Sequence, residues 1–188
     1  SHAKGLPQLL DAVEGLQVKH PNLVLHVAGG GDSPEANALR DRMASMGSAV
    51  IMHGQLDQTA LSALMRQSAV FVLPSFYEGL PLVLVEALAC GCRLICTDLE
   101  GVRREIAPVL GEALTLVSLP EMATVDQPVV AAVPGFVDEL TEAIDEALTR
   151  PPLGDPAQTM PQALAHFRWS AVYTRIEAVW QALISPSS

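Results

Sequence analysis

The sequence predicts an α/β fold built on a doubly wound, Rossmann-like parallel sheet. Three observations lead there. Apolar residues make up 49% of the 188 and charged residues 17%, enough core formers to exclude disorder for most of the chain. Short apolar runs of strand length alternate strictly with runs at helical spacing. Glycine, proline and aspartate fall at the junctions, where turns and caps need them. The length suits one domain.

Each element follows in order. Pro7 suits a helix first turn. Leu6, Leu9, Leu10, Val13 and Leu16 keep helical spacing, so a helix runs to about Lys19. His20-Pro21-Asn22 breaks it. Leu23 to Ala28 is a buried strand that ends in Gly29-Gly30-Gly31-Asp32. A helix from Pro34 to Met46 is capped by Gly47. Ala49 to His53 is a strand, and Asp57 caps a helix to Gln67. Ala69 to Leu73 is a strand, Pro81 to Cys90 a helix, and Arg93 to Cys96 a strand. A short helix at Arg103 to Ala107 and a strand at Ala113 to Val117 close an α/β core over 1–117. Residues 118–134 hold three prolines and no period, and read as a surface loop. Residues 135–188 read as helices: Gly135 to Thr149, Ala157 to Phe167, and Ser170 to Ile184, with Trp169, Tyr173, Ile176, Val179 and Trp180 as packing residues and a frayed tail. The chain opens on a helix, whereas α/β domains open on a strand. A preceding segment is therefore expected, and Ser1-His2 is either native or a cloning remnant.

The net charge of −10, with scattered Lys and Arg, argues against nucleic acid and against a membrane surface as partner. No window is long and apolar enough to span a bilayer. Cys90, Cys92 and Cys96 form no even disulfide framework, which favours a cytoplasmic, reducing setting. No fourth zinc ligand stands nearby, so no metal site is expected. A phosphate-bearing ligand stays compatible with the acidity, since a few local donors can hold it.

Such sheets bind ligands beyond the carboxyl ends of their strands. The most informative stretch lies there: Ser75-Phe76-Tyr77-Glu78-Gly79-Leu80-Pro81-Leu82-Val83-Leu84-Val85-Glu86-Ala87. Glu78 ends a strand. Glu86 is expected two turns inside the following helix, among Val, Leu and Ala, where an unpaired carboxylate is costly. Eight positions at helical rise separate them by on the order of 12 Å. The helix amino end between them would favour a diphosphate, so one extended ligand could set hydroxyls on both acids. The plainer reading makes Glu86 a satisfied buried acid, Glu78 a turn residue and Lys4 an exposed lysine. His26 reads as a packed strand residue, His53 as structural, and the cysteines as small buried hydrophobes.

The pattern Pro-Ser-x-x-Glu-Gly-Leu-Pro-Leu-Val-x-x-Glu-Ala-x-Ala-x-Gly resembles the signature of the group 1 (family 4) glycosyltransferases. These are retaining, two-domain GT-B enzymes. The likeness runs from Lys4 to about Ile106 and resumes at Phe167-Arg168-Trp169-Ser170. It implies the C-terminal, donor-binding half of a GT-B fold with extra C-terminal helices. The implied activity is hexosyl transfer from a nucleoside-diphosphate sugar, with retention, without metal or cofactor. It implies an acceptor, saccharide or lipid-linked, held by an N-terminal domain outside this chain, which could sit peripherally on the inner membrane. By position, Glu78 matches the acid at the donor sugar and Glu86 the acid on the ribose. Lys4 matches a lysine that neutralises the diphosphate. Leu80, Leu82 and Val83 match backbone contacts to phosphates and sugar, and Leu56 a residue near the base. Glu78 and Lys4 would be the catalytic pair, and this piece alone would be inactive. Pro81 replaces a frequent glycine and removes one N–H; Leu99-Glu100-Gly101 replaces a Gly-Gly turn and opens the donor's identity. Alternatives are a GT-B epimerase or phosphorylase, or a non-catalytic α/β binding module.

Overall fold

The computed structural model describes residues 2–151, 153–155, 158, 161–167 and 169–184. A short turn at His2–Lys4 leads into α1 (Leu6–Leu16), which buries Leu9, Leu10, Val13 and Leu16. Then come β1 (Leu25–Ala28), α2 (Pro34–Ser45), β2 (Val50–Gly54), α3 (Gln58–Gln67), β3 (Val70–Leu73), α4 (Val83–Ala89) and β4 (Arg93–Thr97). A π-helical turn, Val102–Ile106, runs into α5 (Ala107–Leu110) and β5 (Leu114–Val117). The tail carries α6 (Val133–Thr149), α7 (Pro161–His166) and α8 (Trp169–Ile184).

Local chemistry explains the starts. The Ser33 hydroxyl accepts from the Ala36 amide at 3.2 Å and the Asp57 carboxylate from the Ala60 amide at 2.8 Å. Each side-chain cap satisfies an orphan amide and contributes about 1 kcal/mol. The predicted helix from Pro81 begins two residues later, at Val83. Leu82 donates back to Leu80, and Leu84 and Val85 close three-residue turns on Pro81 and Leu82, so a tight turn precedes the helix. The predicted short helix at Arg103 is a π turn flowing into α5. Its wider coil keeps positions four apart on one face, and Val102, Ile106 and Leu110 are all fully buried.

Every pairing among the described strands β1–β5 is parallel, as the alternation predicts. The sheet is in two parts, however: β1 with β2, and β3 with β4 and β5. β4 is the buried spine of the larger part. β1, expected to be buried, alternates half-buried and exposed.

α1 packs on α6 through Leu9, Val13 and Leu16 against Phe136, Leu140 and Ile144. Lys19 and His20, just past α1, both reach Asp145 of α6 at 2.6 Å. The Lys19 hydrogen bond, and then that of His20, holds the Asp145 carboxyl below its ordinary value. A depressed carboxylate stabilises the fold above its unfolded-state value of about 3.9. That contribution fades as pH falls through the lower folded value. Asp145→Asn is therefore expected to melt below the wild type at pH 7. The gap should close as the scans move from pH 5 towards pH 2, and a gap constant across that range would contradict the linkage.

In α8, Tyr173, Ile176 and Trp180 were expected to pack, yet all three are exposed. Their spacing puts them on one stripe, and that stripe faces outward. The side chains of Trp169 and Val179, the start at Ala157, Arg168 and the tail 185–188 lie outside the described residues.

Candidate functional site

The turn after β3 is anchored by buried residues. Pro74, Ser75 and Phe76 are buried. Phe76 packs its ring against Phe136, with centroids 5.2 Å apart, and donates its amide to Ala3 O at 2.9 Å. Gly5 caps α1 at φ 63°. A Cβ there would lie 2.8 Å from the Pro74 carbonyl carbon and closer still to its oxygen. The His2–Lys4 turn is thus clamped onto the end of β3.

That clamp brings Lys4 to Glu78. Lys4 Nζ lies 2.7 Å from Glu78 Oε1, with the lysine 55% exposed and the glutamate 18%. Ser75, fully buried, donates its hydroxyl to the same oxygen at 2.7 Å. Both donors fall on Oε1, so the acid is held by one oxygen. The sequence alone assigns Ser75 no role. The missed signal was its spacing, a serine three positions before the acid in a turn that the flanking Pro and Phe bury.

Glu86 departs from expectation. It sits in the first turn of α4, not two turns in, and it is exposed. α4 buries Leu84, Ala87 and Leu88; at 100° per residue, position 86 points away from that stripe. The apolar neighbours in sequence are thus not its neighbours in space. Leu80 and Leu82 are half exposed on the same turn. Leu56 and Val83 line a cleft between β1 and β3, whereas Lys4, Glu78, Leu80, Leu82 and Glu86 do not.

The family model for glycosyl transferases, group 1, matches residues 1–111, more than half of the chain. The chain belongs to the group 1 glycosyltransferases. It is similar to the phosphatidyl-myo-inositol mannosyltransferase of Mycobacterium leprae, 27% identical over 186 residues, covering 98% of this chain and 45% of that protein. It is also similar to the glycogen synthase of Mycobacterium tuberculosis, 30% identical over 188 residues, covering 96% of this chain and 40% of that one. The chain spans less than half the length of these curated relatives. Among solved structures, the pneumococcal O-GlcNAc transferase GtfA in complex with UDP and GlcNAc superposes with a TM-score of 0.65 at 19% identity, covering 98% of this chain and 34% of that one. At that identity the likeness shows the fold, a GT-B-type α/β half.

In this glycosyltransferase domain the other sequence candidates take structural places. Burial pushes the Cys92 thiol up to about 11, with Cys90 adding to it. Burial likewise pushes Cys96 up to about 12, with Glu78 and Asp98 adding. Both therefore stay protonated thiols rather than nucleophiles. His26 is exposed rather than packed, and stacks on His53 with Nδ1 and Nε2 2.9 Å apart. Among the described residues no three His, Cys, Asp or Glu side chains gather as a metal-holding group. The Leu99–Gly101 turn does reach the site: a Cβ on Gly101 would come 2.9 Å from Gly79 O. No described helix is long and apolar enough to cross a membrane.

Proposed function

We propose that this chain is the donor half of a retaining, metal-independent hexosyltransferase and binds a nucleoside-diphosphate sugar across the β3–α4 turn. The observation that carries this reading is the Lys4–Glu78–Ser75 cluster, built at the carboxyl end of a parallel strand one turn before α4. Parallel α/β sheets bind ligands at that end.

Lys4 has the charge and the exposure to leave Glu78 for a diphosphate. Its ammonium would offset charge developing on the departing group, usually a large term in catalysis. Glu78, steadied by Ser75, would orient a donor-sugar hydroxyl and favour positive charge at the anomeric carbon. Glu86, exposed and in the first turn, is open to accept from two ribose hydroxyls. Leu56 would lie near the base, and the backbone of Leu80, Leu82 and Val83 along the phosphates and sugar. The Leu82 amide donates to Leu80 and its carbonyl accepts from Val85 and Glu86, so the amides that would face the ligand are those of Leu80 and Val83. The acceptor, a saccharide or a lipid-linked one, would be held outside this chain, so the chain alone binds donor and transfers nothing.

Titration calorimetry with UDP, GDP and their sugars tests the reading. One nucleotide series is expected to saturate. Glu86→Gln should weaken it about tenfold, roughly 1.4 kcal/mol, for lost charge-assisted hydrogen bonds. An unchanged affinity would remove Glu86 from the ribose, and the absence of saturable heat with any nucleotide would favour a non-catalytic module.

A further inference from the structure

Two histidines meet away from the β3–α4 turn. His26 lies in β1 and His53 in β2. The two strands run parallel with His26 beside Ile51, which sets His53 diagonally across from it. The ladder is irregular at that point. Val27 pairs with Met52 and Ala28 with Gly54, which leaves His53 as the extra residue of a β-bulge. A bulge bends its strand and re-aims a side chain. Here the His53 ring stacks on that of His26, with planes 24° apart. His53 Nε2 and His26 Nδ1 stand 2.9 Å apart. His26 is exposed and His53 half-buried, so water reaches the pair.

That spacing serves two states of the imidazoles. With a proton in the gap, one ring N–H donates to the lone pair of the other. With each ring protonated on its outer nitrogen, both lone pairs face the gap, and a cation between them makes that arrangement favourable. Neutral imidazole is the commonest metal ligand among side chains. Two imidazole nitrogens bound cis to one ion, at about 2.05 Å and 90°, stand about 2.9 Å apart, and at the tetrahedral angle about 3.3 Å. The gap between these rings is thus the bite of a tetragonal ion, not of tetrahedral zinc. The net charge of −10 also draws cations to the surface.

We propose that His26 and His53 chelate one divalent first-row transition ion of tetragonal preference, of the nickel or copper class, with water in its remaining positions. The site lies on β1 and β2, so it stands or falls apart from the nucleotide reading of the β3–α4 turn. Its effect is to clamp two strand ends. Gly54, directly after His53, accepts from the Gly29 amide at 2.7 Å. The ion ties the last residues of β1 and β2 together, where the chain turns towards Leu56. An ion that binds the folded pair and not the unfolded chain raises stability by mass action.

Calorimetric titration of the chain with Ni²⁺ tests the site. One ion per chain is expected, with Zn²⁺ at least threefold weaker. His26→Asn and His53→Asn should each weaken nickel at least tenfold, because one imidazole remains, while His20→Asn and His166→Asn should leave it unchanged. Nickel should raise the melting temperature of the wild type and not that of the first two variants. A further measurement needs no variant: substoichiometric Cu²⁺ should broaden the amide signals of residues 25–28 and 52–55 before any others, and EDTA should restore them. Nickel held equally by the wild type and both variants overturns the proposal. So does zinc bound as tightly as nickel, or broadening centred on another histidine.

Discussion

Gly5→Ala is expected to destabilise the chain by about 3 kcal/mol or more, well beyond an ordinary single substitution. Two costs combine. The residue caps α1 at φ 63°, a region that costs an L-residue about 1–2 kcal/mol. The new Cβ also meets the Pro74 carbonyl, a backbone group held by a buried turn that cannot rotate aside. Relief would require α1 to lift off the end of β3. Urea unfolding measures the loss. Gly15→Ala is the control: Gly15 lies inside α1 with open space where its Cβ would go, so alanine there should stabilise by about 0.5–1 kcal/mol. Equal midpoints for the two variants would show that the Gly5 contact does not hold the clamp. The same loosening should part Lys4 from Glu78, so nucleotide affinity should fall with stability in the Gly5 variant alone.

The parts legible in the sequence are those set by local chemistry. Asp57 marks its helix start because a short polar side chain at that position satisfies the backbone directly. The strands announce themselves as apolar runs, and Glu78 lies beyond the carboxyl end of β3, in the turn that follows Leu73. Facing was not legible. Glu86 sits among apolar letters, but a start shifted by a two-residue turn and a rotation of 100° per residue decide which letters are neighbours. The stripe Tyr173, Ile176 and Trp180 has a buried face's composition and an exposed position, since composition does not say what lies opposite. The division of the sheet could not be read either. It depends on which strand lies beside which, and no periodicity carries that information. Ser75 was legible in retrospect as the third position before an acid, but only its burial turns a hydroxyl into a holder of Glu78.

In a protein that joins this chain to the domain proposed to hold the acceptor, Glu78→Gln is expected to lower glycosyl transfer by roughly a hundredfold or more, about 2.7 kcal/mol at the transition state, with donor affinity almost unchanged. The split follows from the cluster's geometry. The amide keeps nearly the same size and can still accept from Ser75, so the turn stays in place. What disappears is the negative charge beside the anomeric centre, which matters most when positive charge develops there. Lys4, now without its carboxylate partner, is freer for the diphosphate, and that offsets any loss of ground-state contact. The loss should therefore fall on kcat rather than on KM, read as release of nucleoside diphosphate. Lys4→Met should do the reverse in part, weakening donor binding as well as slowing release of the leaving group. The double variant then separates two accounts. If Glu78 acts on the sugar and Lys4 on the diphosphate, their effects on kcat multiply. If Glu78 serves only to park Lys4 between turnovers, Glu78→Gln alone should leave kcat near the wild-type value, and the proposed role in transfer is wrong.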